Sequence, residues 1–318
     1  MKQQGVWPYL LLVAGLIGLQ FSGSNYLTNL ANFVAIQALP AIGLSLLMGY
    51  TGQISLGHAA FYGLGAYGSV LLATHLGVNM WLAMVVAAVL VGIAAWALGW
   101  LVFRLEGHYL AMATLGFGII VHVILVEMHD WTGGPNGMTG IEPMSLFGHE
   151  FYSDKQVFPI VWGACILGIF FAESLVRSRV GLLMRGVSEN GRVVASLGAS
   201  PDRMKRLVLM VSGIYAAVAG ALYARYVGYL SPGPFDVGFS IKLLLMVAIG
   251  GFAQIWGVLF GVAFVALVSE LLKPLGGYDI IVFGVLLVVA VVYCRDGLLQ
   301  TLFAGVRGTL RLARRSVS

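Results

Sequence analysis

Three hydrogen-bonding side chains, Gln53, Ser55 and His58, stand at the start of an apolar run that glycines interrupt repeatedly, GYTGQISLGHAAFYGLGAYGS over Gly49–Ser69. Irregular backbone within a membrane is tolerated only where protein or a water-filled cavity satisfies its polar groups. If the run lies in a membrane, the pattern favours a segment that lines a solute pathway. Close helix packing without a pathway role is the alternative for each residue, and a hydrogen-bonded packing role is the simpler interpretation of His58.

The sequence contains no motif that indicates catalysis. It has no Walker-type phosphate loop, no HExxH and no GxSxG. The stretch TGGPNGMTG around Asn136 resembles a phosphate loop only superficially, because no strand precedes it. Cys165 and Cys294 lie in separate apolar segments without metal-ligand spacing. We therefore predict no catalytic residue, no metal site and no cofactor in this chain.

A polar island, residues 177–206, interrupts the apolar sequence with seven cations and two acids. Within it Val193, Val194 and Leu197 predict an apolar stripe on a short helix that Gly198 can end. Ser200 is a suitable N-cap for a following helix whose first turn contains Pro201 and Asp202. The island is predicted to be a small projection offered to a soluble partner, and a merely solvated loop is the alternative.

Composition and apolar runs place these features in a membrane protein. Of 318 residues, 59% are hydrophobic and 10% charged, against about 25% charged in globular domains. Runs of about twenty apolar residues predict ten crossings, near residues 7–22, 26–48, 56–74, 81–103, 109–128, 157–176, 207–230, 239–252, 256–272 and 278–294. Small residues four apart, such as Gly65 with Ser69 and Ala216 with Gly220, predict close helix packing. The predicted fold is all-α, a polytopic helical membrane protein with one transmembrane domain over residues 1–297.

Positive charge favours one side of this topology. The loops on one side carry only Lys155 and Lys273. The other side has Lys2, Arg104, Arg177, Arg179, Arg185, Arg192, Arg203, Lys205, Arg206, Arg295, Arg307, Arg311, Arg314 and Arg315. Because loops rich in Lys and Arg face the cytoplasm, both termini are predicted to be cytoplasmic. The net charge of +5 then reflects topology and anionic lipid headgroups, and binding of nucleic acid is not indicated.

Two segments outside the predicted spans have their own character. The loop over residues 129–156 has four acids against Lys155, and we predict that it forms a compact external lid or a docking surface for an extracellular partner. Residues 298–318 combine an apolar face with four arginines. They predict a basic amphipathic cytoplasmic tail lying on the inner leaflet, with partner binding as the alternative.

Charged residues inside the predicted spans are few. Arg225 and Lys242 lie within a couple of turns of the predicted outer boundary, so both are expected to snorkel to the interface. Attraction of an anionic or zwitterionic solute at an outer vestibule is the alternative. Glu127, Glu173 and Glu270 lie near span ends, which disfavours a secondary transporter with buried ion-coupling carboxylates.

Four stretches, in order, resemble the permease subunits of bacterial branched-chain amino-acid ABC importers, specifically the M-type subunits. They are GYTGQISLGHAAFYGLGAY, RLEGHYLAMATLGFGII, TGGPNGMTGI and SENGRVVASLGASPDRMKRLVLMVSGIYAAVAGALYARYVGYLSP. The resemblance extends from about Ala38 to Gly297. We add Tyr109 and Thr114, from the second stretch, and Asn136, from the third, to the candidate pathway-lining residues.

The resemblance implies an ABC importer permease fold in the bacterial inner membrane and a set of partners. These are a second, H-type permease subunit, two cytoplasmic ATPase subunits that use ATP and Mg, and an external substrate-binding protein. It also implies that the island is the loop that couples the permease to the ATPase. The residues assigned to that coupling are Glu189, Asn190, Arg192, Val193, Val194, Leu197, Gly198 and Ser200.

The chain departs from the family pattern at residues 191–193 of the island and at Lys242, where many relatives carry Glu. We expect Lys242 to influence substrate selectivity. Branched-chain or related amino acids are the expected solutes, and urea or other amides, aromatic amino acids and small organic acids are alternatives within the same class. An ion-gradient-driven transporter and a structural or assembly protein of the membrane are the alternatives from other classes.

Overall fold

A computed structural model describes residues 7–21, 24–105, 107–146, 149–273 and 279–293. Within them it contains twelve α-helices and a two-stranded antiparallel sheet. The helices are α1 (Trp7–Phe21), α2 (Asn25–Thr51), α3 (His58–Leu76), α4 (Met80–Val102), α5 (His108–Glu127), α6 (His129–Thr132), α7 (Asp154–Arg177), α8 (Arg179–Ser196), α9 (Pro201–Val227), α10 (Val237–Gly250), α11 (Ile255–Leu272) and α12 (Asp279–Tyr293). The strands are β1 (Met144–Leu146) and β2 (His149–Phe151). The predicted tail, residues 298–318, lies outside the described residues.

The helix boundaries follow local sequence signals. The Ser24 side chain accepts a hydrogen bond from the Leu27 amide at the start of α2, and Gly52, with φ +69°, ends that helix in the left-handed region. At α9 the Ser200 side chain accepts from the Arg203 amide, directly before Pro201. The predicted cap and first-turn proline of the helix after the island are confirmed.

Each of the ten predicted crossings corresponds to one helix, and within the described residues six of these are long and apolar enough to span a membrane. The six are α2, α4, α5, α7, α9 and α11. Helices α1 and α10 are apolar but shorter, and α3, with 19 residues, is not among the six. The molecule is thus a helical, multi-pass membrane protein. The count of ten crossings and the cytoplasmic position of the termini stay predictions.

The centre of the bundle is built on α2 and α9. The most apolar window of α2 is 83% buried and that of α9 is 67% buried, and α9 packs against α2, α3 and α4. A Cβ on Gly65 of α3 would lie 2.2 Å from the Ala217 Cα, and one on Gly220 of α9 would lie 2.0 Å from the Tyr62 carbonyl oxygen. The close helix packing predicted from small residues is therefore confirmed, with glycine required on both helices.

Polar contacts tie helix ends together at both ends of α7. At its last turns, Glu173 accepts hydrogen bonds from Tyr9, near the start of α1, and Trp256, near the start of α11. At its first residue, Asp154 accepts from Tyr226, near the end of α9. In the predicted topology, the helix ends that meet at Glu173 all lie on the cytoplasmic side. Those that meet at Asp154 all lie on the external side.

The described part of the segment between α5 and α7 is folded. After α6, β1 and β2 pair with Met144 opposite Phe151. The Trp81 indole donates to the Ser145 carbonyl at 2.8 Å, and an antiparallel bridge joins Met138 to Leu230. These contacts hold the loop between α5 and α7 against the start of α4 and the end of α9.

Candidate functional site

The candidate site begins at the break between α2 and α3. The Ser55 Oγ and His58 Nδ1 atoms are 3.2 Å apart, and His58 Nε2 lies 2.6 Å from the Ser212 Oγ of α9. The Leu56 amide donates to the Thr114 Oγ1 of α5 at 3.0 Å. Ser55, His58 and Thr114 are all buried. The break is thus satisfied by protein groups, as irregular backbone in a membrane requires, and three predicted site residues meet there.

The island contains more helix than the sequence predicted. Helix α8 is interrupted at Asn190, whose backbone is extended with φ −157° and ψ 95°. The Asn190 Oδ1 accepts hydrogen bonds from the amides of Arg192 at 3.1 Å and Val193 at 3.3 Å, so it acts as an N-cap within the element. Gly198, with φ +85°, follows the C-cap residue Leu197. The predicted short helix is confirmed as residues 191–196.

The short helix presents two apolar side chains to its surroundings. Val193 is 54% exposed and Leu197 is 81% exposed, whereas Val194 is buried. A Cβ on Gly186 would lie 2.9 Å from the Val194 Cγ2, which places Val194 against the first half of α8. Of the predicted three-residue stripe, Val193 and Leu197 are therefore exposed, whereas Val194 packs between the two halves of α8.

Side chains of α8 contact the end of α2 directly before the break. The Arg185 guanidinium lies over the Tyr50 ring, 5.5 Å from its centroid. A Cβ on Gly52 would lie 2.9 Å from the Ser188 Oγ. The Tyr50 hydroxyl also donates to the Ala253 carbonyl between α10 and α11 at 2.8 Å. Helix α8 therefore contacts the residues that lead into the polar break without any intervening element.

Comparison with known proteins relates the chain to membrane permeases. The model of a family described as branched-chain amino acid transport system / permease component matches residues 26–291. The chain is 30% identical over 321 residues to the high-affinity branched-chain amino acid transport system permease protein LivM of Escherichia coli K12, covering 94% of this chain and 75% of LivM. The chain belongs to this permease family. The permease is also 26% identical to LivH of the same strain over 243 residues, covering 70% and 77% of the two chains.

A further relative differs in the solute that its name records. The permease is 26% identical over 257 residues to the autoinducer 2 import system permease protein LsrC of Escherichia coli O9:H4, covering 78% of this chain and 70% of LsrC. The family and the apolar helices make this chain a membrane-spanning permease subunit of an ABC importer. Its role is transport.

Not all candidate pathway residues of the permease lie at the break. Gln53 is half-buried and its side-chain amide donates to the Thr51 carbonyl at 2.9 Å. Tyr109 is 71% exposed at the start of α5. Asn136 lies beyond the other end of α5, where its carbonyl accepts from the Tyr229 hydroxyl at 2.9 Å. Gln53 thus lies within the break but outside the buried group. Tyr109 and Asn136 lie away from the break, and the pathway role stays a prediction.

The two intramembrane cations of the permease differ from each other. Arg225 is only 7% exposed, and its Nη1 donates to the Glu142 carbonyl at 3.2 Å and lies 3.7 Å from the Glu142 carboxylate. Snorkelling into water is therefore wrong for Arg225, because the folded loop between α5 and α7 covers it. Lys242 is half-buried, with its Nζ 5.3 Å from the centroid of the Phe283 ring on α12.

The sequence reasoning missed the role of Glu173. This glutamate is 9% exposed, and its carboxylate accepts from Trp256 Nε1 at 2.7 Å, Arg177 Nη2 at 3.0 Å and Tyr9 Oη at 3.1 Å. The spacing of four residues to Arg177 indicates an ion pair on one helix face. The partners on α1 and α11 leave no local signal, because they are 164 and 83 residues away.

Proposed function

We propose that the permease forms one half of the membrane pore of an ATP-driven importer in a bacterial inner membrane. A second permease subunit forms the other half, two cytoplasmic ATPase subunits supply the energy with ATP and Mg, and an external binding protein delivers the solute. The solute is a small molecule, a branched-chain or related amino acid. The family match and the relation to both LivM and LivH support this assembly.

One observation carries the assignment of the coupling site. The short helix over residues 191–196 presents Val193 and Leu197 to its surroundings, while the first half of α8 rests on Tyr50 and Gly52. Exposed apolar side chains on a capped, rigid projection are suited to a groove in a soluble partner. Glu189 and Arg192, both exposed, provide charged contacts at its rim.

Motion of the ATPase then reaches the pathway through contacts of this chain. The ATPase binds the projection differently in the outward-open and inward-open states, and that difference in binding free energy shifts their populations. Helix α8 transmits the shift to the end of α2, and the break after Gly52 absorbs the change in backbone angles. Ser55 and His58 follow, because Ser55 is hydrogen-bonded to His58 and His58 to Ser212 of α9.

Lys242 is the proposed selectivity residue among the candidate solutes. A cation near the outer part of α10 favours solutes that carry a carboxylate, and small organic acids, urea or other amides, and aromatic amino acids remain the other candidates. We expect Lys242→Glu to shift uptake away from acids. An identical solute profile in the variant would remove Lys242 from the selectivity site.

Reconstitution tests the proposed function. The permease is assembled in proteoliposomes with the second permease, the ATPases and the binding protein encoded with it, and uptake of radiolabelled leucine is followed. We expect uptake that requires both ATP and the binding protein, and that Arg192→Glu or deletion of residues 191–197 abolishes without preventing membrane insertion. Uptake driven by an ion gradient in the absence of ATP would overturn the proposal.

A further inference from the structure

A cavity lies away from the polar break, beneath the loop between α5 and α7. We call it the outer pocket. It has a volume of about 250 Å³ between the residues flanking the β-hairpin, the start of α7 and the end of α9. Its lining residues are Ile141, Pro143, Phe151, Tyr152, Ser153, Asp154, Val157, Arg225, Tyr226, Val227 and Gly228. Ligand pockets of proteins begin at roughly 300 Å³, so the outer pocket suits a molecule no larger than a single amino acid.

Arg225 is a buried cation whose charge is only partly balanced. Its side chain is 5% exposed, whereas the side chain of its partner Glu142 is 82% exposed and the two charged groups are 3.7 Å apart. Glu142 therefore remains largely in water, and its negative charge is screened there. A guanidinium carries five N–H donors in a planar fork that matches a carboxylate. A carboxylate in the outer pocket would compensate Arg225 better than Glu142 does.

The opposite charge in the same wall decides which carboxylate fits. Asp154 also lines the outer pocket, and its Oδ1 accepts one hydrogen bond, from the Tyr226 hydroxyl at 2.9 Å. A carboxylate can accept several hydrogen bonds, so Asp154 retains the capacity to accept from a ligand ammonium group. A simple anion would be repelled by Asp154, while a zwitterion places one charge on each group.

The remaining lining provides an apolar wall. Ile141, Phe151 and Val157 contribute aliphatic or aromatic surface beside the two charged groups. We propose that the outer pocket binds an aliphatic α-amino acid, with Arg225 holding its carboxylate, Asp154 accepting from its ammonium group, and the apolar wall receiving its side chain. This inference rests on the proposed function, because it places a molecule of the proposed solute class at the end of the permease predicted to face outside.

Direct binding to the importer tests the outer pocket. The complete complex of both permease subunits and the ATPases is placed in nanodiscs without binding protein or nucleotide, and binding of tritiated L-leucine is measured by scintillation proximity. We expect saturable binding that Arg225→Gln weakens by about ten- to hundredfold, the usual range for losing a charge-assisted hydrogen bond. 4-Methylpentanoate, which lacks the ammonium group, and isoamylamine, which lacks the carboxylate, should each compete at least about tenfold more weakly than leucine.

Two further variants keep the test decisive. Lys155→Gln removes the same charge from the same end of the permease at a residue outside the pocket lining, and we expect leucine affinity within about twofold of the unchanged complex. Val227→Phe fills the pocket from a side chain that is 39% exposed and leaves the contact between Arg225 and Glu142 in place, so it tests the pocket even if Arg225→Gln fails to assemble. We expect it to weaken leucine binding by at least about tenfold.

Several outcomes would overturn the inference. They are the absence of saturable leucine binding, binding that survives both Arg225→Gln and Val227→Phe, and 4-methylpentanoate competing as well as leucine does. ATP-driven leucine uptake, measured separately, distinguishes the two proposals. Normal uptake without binding at the outer pocket would refute this inference alone, and absence of ATP-driven uptake would refute the proposed function.

Discussion

The contact between Gly52 and Ser188 offers a narrow test of how α8 acts on the polar break. Gly52 has φ +69°, and a Cβ added there would lie 2.9 Å from the Ser188 Oγ and 3.7 Å from the Ser188 Cα and Cβ. In Gly52→Ala the left-handed backbone costs about 1–2 kcal/mol. Displacing the Ser188 hydroxyl from its rotamer adds about 0.5–1.5 kcal/mol. This second cost weakens the contact between α2 and α8.

Gly77→Ala isolates the backbone contribution. Gly77 ends α3 with φ +60°, and nothing lies within 4 Å of a Cβ added there. It therefore has a similar backbone cost and no contact with α8. Ser188→Ala combined with Gly52→Ala removes the hydroxyl and leaves the new Cβ at ordinary contact distance from the neighbouring residue.

The assay is ATP hydrolysis by the reconstituted importer, with and without loaded binding protein. We expect Gly52→Ala to lower the stimulated rate by about two- to tenfold, the factor that corresponds to 0.5–1.5 kcal/mol. Gly77→Ala should retain the stimulated rate, and the double variant should recover most of it. Equal effects of Gly52→Ala and Gly77→Ala, or no recovery in the double variant, would refute the route from α8 to α2.

Three further predictions concern packing and topology. Glu173→Leu leaves an indole, a hydroxyl and a guanidinium without their acceptor, so we expect the free energy of unfolding to fall by about 2–3 kcal/mol. The fall should appear as a lower thermal unfolding midpoint in detergent and should be smaller for Glu173→Gln. An unchanged midpoint would contradict this. Gly220→Ala places a Cβ 2.0 Å from a backbone oxygen of α3, whereas the Cβ of Gly163→Ala meets nothing within 4 Å. Only Gly220→Ala should therefore lower the yield of folded permease. Equal yields for the two variants would count against the close approach of α3 and α9. A cysteine at Lys155 should react with an impermeant label from outside and one at Arg192 only after permeabilisation, and the reverse pattern would invert the topology.

Local signals in the sequence predicted the helices well. The run predicted near residues 81–103 is α4, Met80–Val102, because an apolar segment of about twenty residues is itself the signal. Hydropathy located α9 less well: the run began near Leu207, but the helix begins at Pro201. The capping residues, read separately, marked that start correctly, because a cap depends on hydrogen bonds between near neighbours.

Long-range contacts are what the sequence did not reveal. Arg225 contacts Glu142, a loop residue 83 positions away. Glu173 of α7 is hydrogen-bonded to residues of α1 and α11. The hydrogen bond between His58 and Ser212 likewise joins residues 154 positions apart. Such partners depend on how the helices pack, and a single sequence carries no local record of that packing. The interruption at Asn190 was also missed, although an asparagine followed by glycine is a recognisable helix-breaking signal.

Site-specific cross-linking tests the central claim most directly. With Cys165 and Cys294 replaced by serine, a cysteine is introduced at Leu197, which is 81% exposed on the projection. The assembled importer is labelled with benzophenone maleimide, whose maleimide adds to this thiol and whose benzophenone inserts into a C–H bond of a neighbouring chain under light. We predict a cross-link between Leu197→Cys and the ATPase subunit, with none from Tyr152→Cys, which is 79% exposed in the external loop in the unchanged chain. Absence of the Leu197→Cys cross-link in a complex that still hydrolyses ATP would contradict the claim that the ATPase engages the permease at this projection.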